Sequence, residues 1–132
     1  MDGEQALREH FEATNRRDYP AAMSYYDEHV VLFSFATGFD AGAYHGVDAV
    51  GGAFGDWMRA FGGGVAFGDL LVERGRDAYA VSARMTARGR ESGIELAQDW
   101  AWVYWMRVGK IVRVEIHTTV DTARSVAGVE PA

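Results

Sequence analysis

Residues 95–118, with the sequence ELAQDWAWVYWMRVGKIVRVEIHT, determine the fold predicted for this chain. Two runs rich in aromatic and β-branched residues flank the turn Arg107-Val108-Gly109, a pattern that predicts an antiparallel hairpin. Upstream of it, short turns containing glycine separate two more runs of the same kind. The strand candidates are therefore residues 65–74, 79–88, 95–107 and 110–118. Because consecutive strands joined by short turns usually pair with each other, we expect a four-strand antiparallel meander.

The first half of the chain has mainly helical patterns. Apolar residues recur at helical spacing in the first 14 positions, and Asp18 can cap a short second helix that extends to Tyr26. A buried strand is predicted at residues 30–35 and a loop at 37–46. A third helix has one apolar stripe, and Asp121 can cap a last short helix. The stripe consists of Val50, Phe54, Trp57 and Phe61. This order predicts an α+β fold with the helices gathered on one face of an antiparallel sheet.

Length and composition restrict the class of protein. The 132 residues are enough for one domain, which we assign to residues 1–132. With 13 Lys and Arg against 19 Asp and Glu, the net charge of −6 argues against nucleic acid or an anionic membrane as a partner. The absence of cysteine excludes disulfides, thiol catalysis and Cys-ligated metals. Since no apolar run is long enough for a membrane span and no signal peptide is evident, we expect a cytoplasmic protein.

The register of the hairpin decides which side chains face the helices, because the side chains of a strand alternate between two faces. A three-residue turn with Gly109 in the left-handed conformation places Trp102 opposite Val114. The helix side then receives Trp100, Trp102 and Tyr104, whereas a two-residue turn or a bulge would reverse this assignment. On the preceding strand, the apolar odd-numbered positions are expected to face the same way.

A row of charged residues is predicted on the outer face. The same register places Asp99 opposite His117, with Arg84 as a further neighbour of Asp99. One interpretation is an ordinary ion cluster on the surface or on a dimer face. The other is a His–Asp acid/base pair in a cavity, which requires the opposite assignment of faces.

Several short motifs resemble the nuclear transport factor 2-like superfamily, and most closely its SnoaL-like branch. They are Phe11 with the NRRD of residues 15–18, the YHG of 44–46, the RGRESG of 88–93 and the RVGKIVR of 107–113. The likeness extends over roughly residues 4–128, with Arg17 and Val108 standing where the family usually has Gly and Asp. It implies a cone-shaped, curved antiparallel sheet wrapped around N-terminal helices, a cystatin-like α+β barrel. It also implies a pocket that is open at one end and an outer sheet face that commonly forms a dimer.

The catalytic carboxylates of the family are missing. The essential Asp on the last strand of SnoaL-like cyclases and of limonene epoxide hydrolase corresponds to Ile116 here. The base of ketosteroid isomerase falls at about Phe33 or Ser34, and its proton-donating acid near Trp102. The acid/base chemistries implied by the resemblance therefore do not carry over to this chain.

A pocket lined by aromatic and apolar side chains is the expected site, although the same residues could simply fill a core. The predicted ligand-binding residues are Phe33, Phe35, Tyr44, Trp57, Phe61, Met85, Gln98, Trp100, Trp102, Tyr104, Val114, Ile116 and Thr118. The candidates for a catalytic group are His45, Asp99 and His117, whereas His10 is interpreted as structural. The spacing of the four histidines indicates no metal site, and no motif indicates a cofactor.

Two functions are compatible with this sequence. The first is the binding of a small apolar molecule without the family's catalytic carboxylates. The second is a SnoaL-like enzyme, of the cyclase, isomerase, dehydratase or hydrolase type, that acts on a polycyclic or terpenoid-like substrate by acid/base catalysis. In either case we expect a homodimer through the outer sheet face, where Val103, Trp105 and Ile111 would form an apolar patch.

Overall fold

The computed structural model describes residues 2–36, 42–60, 64–88 and 95–130, and within these ranges the chain forms four helices and six strands. The helices are α1 (Gly3–Asn15), α2 (Tyr19–Met23), α3 (Val47–Arg59) and α4 (Val120–Ala127). The strands are β1 (Tyr26–Ser34), β2 (Gly42–His45), β3 (Ala66–Arg74), β4 (Tyr79–Arg88), β5 (Glu95–Arg107) and β6 (Lys110–His117). The predicted α+β class and the order of elements are confirmed, except that β2 lies in the segment predicted as a loop.

All six strands belong to one curved, unclosed sheet with the order β2-β1-β6-β5-β4-β3. The predicted meander is confirmed, because β3 to β6 pair consecutively and antiparallel. The sheet differs from an all-antiparallel one at a single place, where β1 pairs parallel with β6. A parallel pair needs a long connection, and here most of the chain lies between the two strands. This neighbour relation has no local signal in the sequence.

The main core lies between the inner face of the sheet and helices α1 and α3. On β4, the inward set predicted at odd positions is confirmed, since Val81, Ala83, Met85 and Ala87 all belong to this core. Leu7 and Phe11 of α1 and Val50 of α3 are buried against it. The helices are therefore held to the sheet by the burial of one apolar stripe each.

The β5–β6 hairpin has a different register from the predicted one. Its turn contains only two residues, Val108 (φ 50°) and Gly109 (φ 74°), and the register shifts at a bulge soon afterwards. Trp102 therefore lies opposite Ile116 and not opposite Val114, so the predicted register is wrong by two residues. The shorter turn and the bulge each reverse the alternation of side chains, and the two reversals cancel. For this reason the predicted inward placement of the β5 aromatic residues is nevertheless correct.

Helix α4 packs on the outer face of the sheet, in contrast to the prediction that all helices share one face. Its Ala123 and Ala127 form a second small core with Ala80, Ala101 and Val103 of the neighbouring strands and with Ala78, which directly precedes β4. The N-cap of α4 is Thr119, whose side chain accepts from Thr122 N, and not Asp121. The predicted exposed patch of Val103, Trp105 and Ile111 is consequently wrong, because α4 covers Val103 and the bulge turns Ile111 into the inner core.

The connection from α1 to β1 is fixed by polar side chains. Asp18 caps α2 as predicted, and its side chain accepts from Ala21 N at 3.3 Å. The Asn15 side-chain amide forms two hydrogen bonds of 2.8 Å with the backbone of Phe67 and so attaches the end of α1 to β3. Tyr26 is the first residue of β1 and not part of a helix. Its ring points inward and is buried, with 6 % of its surface exposed.

Candidate functional site

A cavity of about 580 Å³ lies between helices α1, α2 and α3 and the inner face of the sheet. Most of its wall is apolar and is formed by Phe11, Met23, Phe54, Met58, Phe67 and Trp102. Two glycines of α3, Gly51 and Gly55, also line it, and their lack of a side chain adds to the open space. A cavity of this size is within the range found for small-molecule sites.

Aromatic rings from the sheet and from the helices that face it form a continuous part of the cavity wall. Phe11 meets Trp102 edge-on at 5.1 Å between ring centroids and Phe67 at 5.6 Å. Behind this layer, Trp100 stacks on Trp102 at 5.7 Å, and Trp57 of α3 meets Trp100 edge-on at 5.1 Å. Such offset and edge-to-face contacts hold rings in defined positions. The wall therefore offers a rigid apolar surface with the faces and edges of several rings.

His10 projects from α1 into the wall of the cavity and is almost completely buried. Its Nδ1 lies 2.9 Å from the carbonyl oxygen of Ala22, and its Nε2 lies 3.3 Å from the hydroxyl of Tyr26. Because a carbonyl oxygen can only accept, Nδ1 carries a proton. Burial lowers the pKa of His10 to about 4, although the bond to Ala22 opposes this change. At neutral pH the ring is therefore uncharged, and Nε2 accepts a hydrogen bond from Tyr26.

Two tyrosine hydroxyls lie near His10 in the same cavity. Burial raises the pKa of Tyr26, and burial together with the proximity of Tyr26 raises that of Tyr104. Both hydroxyls therefore keep their protons at neutral pH. Within the described residues, the Tyr104 hydroxyl has no hydrogen-bond partner, whereas that of Tyr26 donates to His10. These three side chains form the polar group of the cavity, which we call the His10–Tyr26–Tyr104 cluster.

The opening of the cavity carries more polar residues. Tyr19 of α2 and Arg59 of α3 both line the cavity and are exposed to solvent, which places them at its mouth. Arg59 forms an ion pair with Asp56 one turn earlier on α3. Exposed pairs of this kind contribute little to stability. The mouth is thus polar and the interior apolar, as in sites that take up an apolar molecule from water.

Only part of the predicted ligand-binding set lies at this cavity. Trp102 and Tyr104 line it, and the other inward residues lie beside it in the core. These core residues are Met85, Trp100, Val114 and Ile116, with Tyr44 and Trp57 half-buried against them. Gln98 and Thr118 are exposed, so neither is a polar point inside the cavity. Phe61 is outside the described residues.

The prediction that Phe33 and Phe35 line the cavity is wrong. On β1 the inward positions are Val30, Leu32 and Ser34, all of them buried, so the odd-numbered residues point to the outer face. There the Phe33 ring lies 4.4 Å from the Arg113 guanidinium carbon. A continuous apolar run contains no alternation from which the inward face could be determined.

None of the three predicted catalytic candidates lies at the cavity. His45 is exposed on the edge strand β2. Asp99 is exposed and pairs with Arg84 at 3.0 Å, so this part of the predicted charged row is confirmed. The predicted Asp99–His117 pair is wrong, because the shifted register places His117 opposite Ala101.

His117 belongs instead to a buried ionic cluster on the outer sheet face. Its Nε2 lies 2.8 Å from Glu115 Oε1, and Arg113 contacts the other oxygen of Glu115 at 2.6 and 3.0 Å. Phe35, which is 56 % exposed, stacks on the His117 ring with centroids 5.1 Å apart. The carboxylate is thus satisfied by two partners, an arrangement that explains how Glu115 tolerates burial.

Sequence reasoning missed the His10–Tyr26–Tyr104 cluster as a unit. His10 falls on the buried stripe of α1, one residue before Phe11, and this position was a signal that it faces inward. Tyr26 was predicted on a helix, but α2 ends at Met23 and Tyr26 is the first residue of β1. Which of the inward residues meet at a cavity depends on how far α2 and α3 lie from the sheet, and the sequence does not encode that distance locally.

In the described part of the chain, no three His, Asp or Glu side chains come close enough to hold a metal ion. Among the described helices, none has the length and apolar character of a membrane span.

Comparison with known proteins places this architecture in a family. The protein-family model of the SnoaL-like domain matches residues 7–114 of this chain. Solved structures with the same fold include Bal32a from a soil-derived mobile gene cassette, at 22 % identity, a TM-score of 0.75 and 87 % coverage of both chains. A nuclear transport factor 2-like protein of unknown function from Burkholderia pseudomallei has 20 % identity, a TM-score of 0.75 and coverage of 96 % of this chain and 98 % of its own.

A third structure, of TerC co-crystallised with polyporic acid, has 16 % identity and a TM-score of 0.74, with 95 % of this chain and 97 % of TerC covered. No curated protein matches the chain. At these identities the structural neighbours show the fold alone. The family model covers most of the residues, from α1 into β6. On this evidence the chain belongs to the SnoaL-like domain family, and it shares its fold with a nuclear transport factor 2-like protein.

Proposed function

We propose that this SnoaL-like protein binds a small apolar molecule in the cavity between α1, α2, α3 and the sheet. The observation that carries this proposal is the cavity of about 580 Å³ with its wall of Phe11, Phe67 and Trp102. Transfer of an apolar molecule from water into such a space is favourable at about 25 cal/mol per Å² of apolar surface buried. The neighbour TerC was co-crystallised with polyporic acid, which is compatible with small-molecule binding by this fold.

Binding is favoured over catalysis by the chemistry of the titratable groups in the cavity. At the position of the cyclase Asp the chain has Ile116, which is fully buried in the core. His10 has its pKa lowered to about 4, and Tyr26 has its pKa raised. An efficient general acid or base needs a pKa near the working pH, and neither residue meets this condition at pH 7.

A second candidate function is acid/base catalysis on a polycyclic or terpenoid-like substrate. The observation in its favour is the contact of 3.3 Å between His10 Nε2 and the Tyr26 hydroxyl, through which a proton could move. This function predicts that an apolar substrate is converted and that Tyr26→Phe abolishes the conversion. Simple binding predicts instead that every ligand is recovered unchanged after incubation.

Two glycines of α3 provide a matched pair of variants for testing the binding site. Gly55 lines the cavity, and a side chain added there would first meet only the mobile end of Arg59. Gly52 is exposed, and a side chain there would meet nothing within 4 Å. Replacing either glycine by leucine favours the helix by up to about 1 kcal/mol. Only Gly55→Leu places that side chain in the cavity.

The experiment is a titration with transparent terpenoids, such as limonene and menthol, followed by tryptophan fluorescence. We expect the wild type and Gly52→Leu to bind with the same affinity and Gly55→Leu to bind at least tenfold more weakly. Thermal unfolding of all three proteins controls for folding. Equal binding by Gly55→Leu and Gly52→Leu would contradict this placement of the site, and no response from the wild type to any apolar ligand would contradict the function.

We also propose that the protein forms a homodimer through the outer sheet face beside α4. The support is a group of aromatic residues on that face, of which Phe35 is 56 % exposed, while Phe33 and Trp105 both lie against the Arg113 guanidinium. This group replaces the patch predicted from the sequence. Light scattering is expected to give twice the chain mass for the wild type and a monomer for Phe35→Lys. A wild type that stays monomeric at millimolar concentration would refute the dimer.

A further inference from the structure

The hydrogen-bonding capacity of the cavity can be derived atom by atom from the His10–Tyr26–Tyr104 cluster. The Nδ1–H of His10 is directed to the Ala22 carbonyl oxygen at 2.9 Å, which leaves only the lone pair of Nε2 on the cavity side. The Tyr26 hydroxyl, 3.3 Å from Nε2, is the donor to that lone pair. The proton of Tyr26 is therefore used within the protein, and its oxygen is left as an acceptor.

Tyr104 supplies the hydrogen-bond donor that complements the Tyr26 acceptor. Its ring is 1 % exposed, and its hydroxyl makes no hydrogen bond within the described part of the chain. The rings of Tyr26 and Tyr104 both lie beside that of His10, with their centroids 5.1 and 6.4 Å from the centroid of the imidazole. Tyr104 lines the cavity, and an apolar group placed against its hydroxyl would leave that donor without a partner, so a ligand atom that accepts from Tyr104 is favoured. The His10–Tyr26–Tyr104 cluster thus presents one unused donor beside one unused acceptor.

The side chains around the His10–Tyr26–Tyr104 cluster restrict which chemical group of a ligand can bind there. The rings of Phe11 and Trp102 pack edge-on against each other, and the Phe11 and Tyr104 rings lie 6.1 Å apart, so the cluster is enclosed by aromatic surface. At the cluster itself neither an ammonium nor a carboxylate is compensated by a charge, because the His10 ring is neutral at pH 7 and Arg59, a cation that lines the cavity, lies at the mouth and pairs with Asp56. A neutral group that both donates and accepts meets both requirements, and a hydroxyl is the smallest such group.

We propose that the ligand is a neutral ring compound with a hydroxyl group, which accepts a hydrogen bond from Tyr104 and donates one to Tyr26. This inference rests on the proposed binding function and specifies its ligand class. The apolar ring system occupies the space beside Phe67 and Trp102, and the hydroxyl enters first. The selectivity is for the hydroxyl and not for the ring alone, because an apolar ligand would leave Tyr104 without a partner.

The test uses three probes of similar shape, namely 2-naphthol, 2-methoxynaphthalene and 2-methylnaphthalene. Each probe is titrated into the wild type and into Tyr104→Phe, and binding is followed by protein NMR. The first probe donates and accepts, the second only accepts, and the third does neither. For the wild type we expect 2-naphthol to bind roughly tenfold or more tightly than 2-methylnaphthalene, with the methoxy compound between them. In Tyr104→Phe the affinity for 2-naphthol is expected to fall severalfold, while that for 2-methylnaphthalene stays within twofold.

The outcomes separate this inference from the function on which it rests. If all three probes bind the wild type equally well, or if Tyr104→Phe weakens all three alike, the hydroxyl proposal is wrong and the apolar site stands. If none of them binds, both proposals are wrong. Tyr104→Phe removes an unpaired buried hydroxyl and is expected to leave the unfolding temperature unchanged or slightly higher, so loss of folding does not obscure the result.

Discussion

Val108 in the β5–β6 turn has a backbone conformation that is unfavourable for its side chain, and its replacement by asparagine is expected to stabilise the protein. Its φ is 50°, in the left-handed region, and β-branched residues rarely adopt this conformation. The left-handed conformation costs an ordinary L-residue about 1–2 kcal/mol, whereas asparagine tolerates it. Because Val108 is 96 % exposed, the substitution removes almost no apolar burial. We therefore expect Val108→Asn to gain about 1 kcal/mol of unfolding free energy.

Thermal and urea unfolding measure this effect. For a domain of this size, about 1 kcal/mol corresponds to an increase of roughly 3–5 °C in the unfolding temperature. Val108→Thr is the matched control, since threonine is polar but still β-branched, and it should gain little. A gain of the same size in both variants would show that surface polarity and not φ is responsible. No gain in Val108→Asn would refute the left-handed conformation of Val108 and with it the two-residue turn.

Three further predictions concern His10, Glu115 and the catalytic candidates that lie outside the cavity. Since burial lowers the pKa of His10 to about 4 from an ordinary 6.5, the unfolded state binds the proton more readily than the folded state. The His10 contribution to the free energy of unfolding is therefore expected to be fully present above pH 6.5, and this free energy should decrease by up to about 3 kcal/mol as the pH falls towards 4. In urea unfolding, His10→Gln should lack this part of the pH dependence. Replacement of buried Glu115 by alanine leaves Arg113 and His117 without their partner and should cost about 3 kcal/mol in the same assay, whereas loss of the exposed Asp99 should cost less than about 1 kcal/mol. The His45→Gln and Asp99→Asn variants should bind terpenoids as the wild type does, and a tenfold loss in either would place the site elsewhere.

The elements of this fold were predictable because their signals are local. Turn residues and alternation located β3 to β6, and Asp18 marked the start of α2. The parallel pairing of β1 with β6 was not predictable, since it depends on residues that are far apart in the chain. The hairpin register was wrong by two residues: the turn accounts for one of them, because a left-handed valine is too rare to expect at Val108, and the bulge between Trp105 and Met106 accounts for the other.

The two departures from the family pattern both lie at positions with a left-handed backbone conformation. Arg17 and Val108 stand where the family usually has Gly and Asp, and both have a positive φ, of 62° and 50°. Glycine pays no steric penalty in this conformation, and aspartate a smaller one than valine. Both departures from the family pattern therefore fall at positions where the backbone conformation is unfavourable for the residue present.

The candidate site was predictable only on its sheet side. The aromatic positions Trp102 and Tyr104 were identified correctly as inward residues, because β5 combines large rings with a definable face. The helix side was missed, since a regular apolar stripe does not distinguish residues that pack from residues that line a space. His10 is the clearest example, because the same stripe position is compatible with both roles.

The central claim is that an apolar molecule enters the cavity, and methionine methyl NMR tests it most directly. Met23 and Met58 line the cavity, whereas Met106 packs elsewhere on the core and serves as an internal control. On titration with 2-naphthol we predict that the methyl signals of Met23 and Met58 shift in a saturable way while that of Met106 stays in place. Unchanged signals from Met23 and Met58 at saturating ligand, or equal shifts of all three, would contradict the claim.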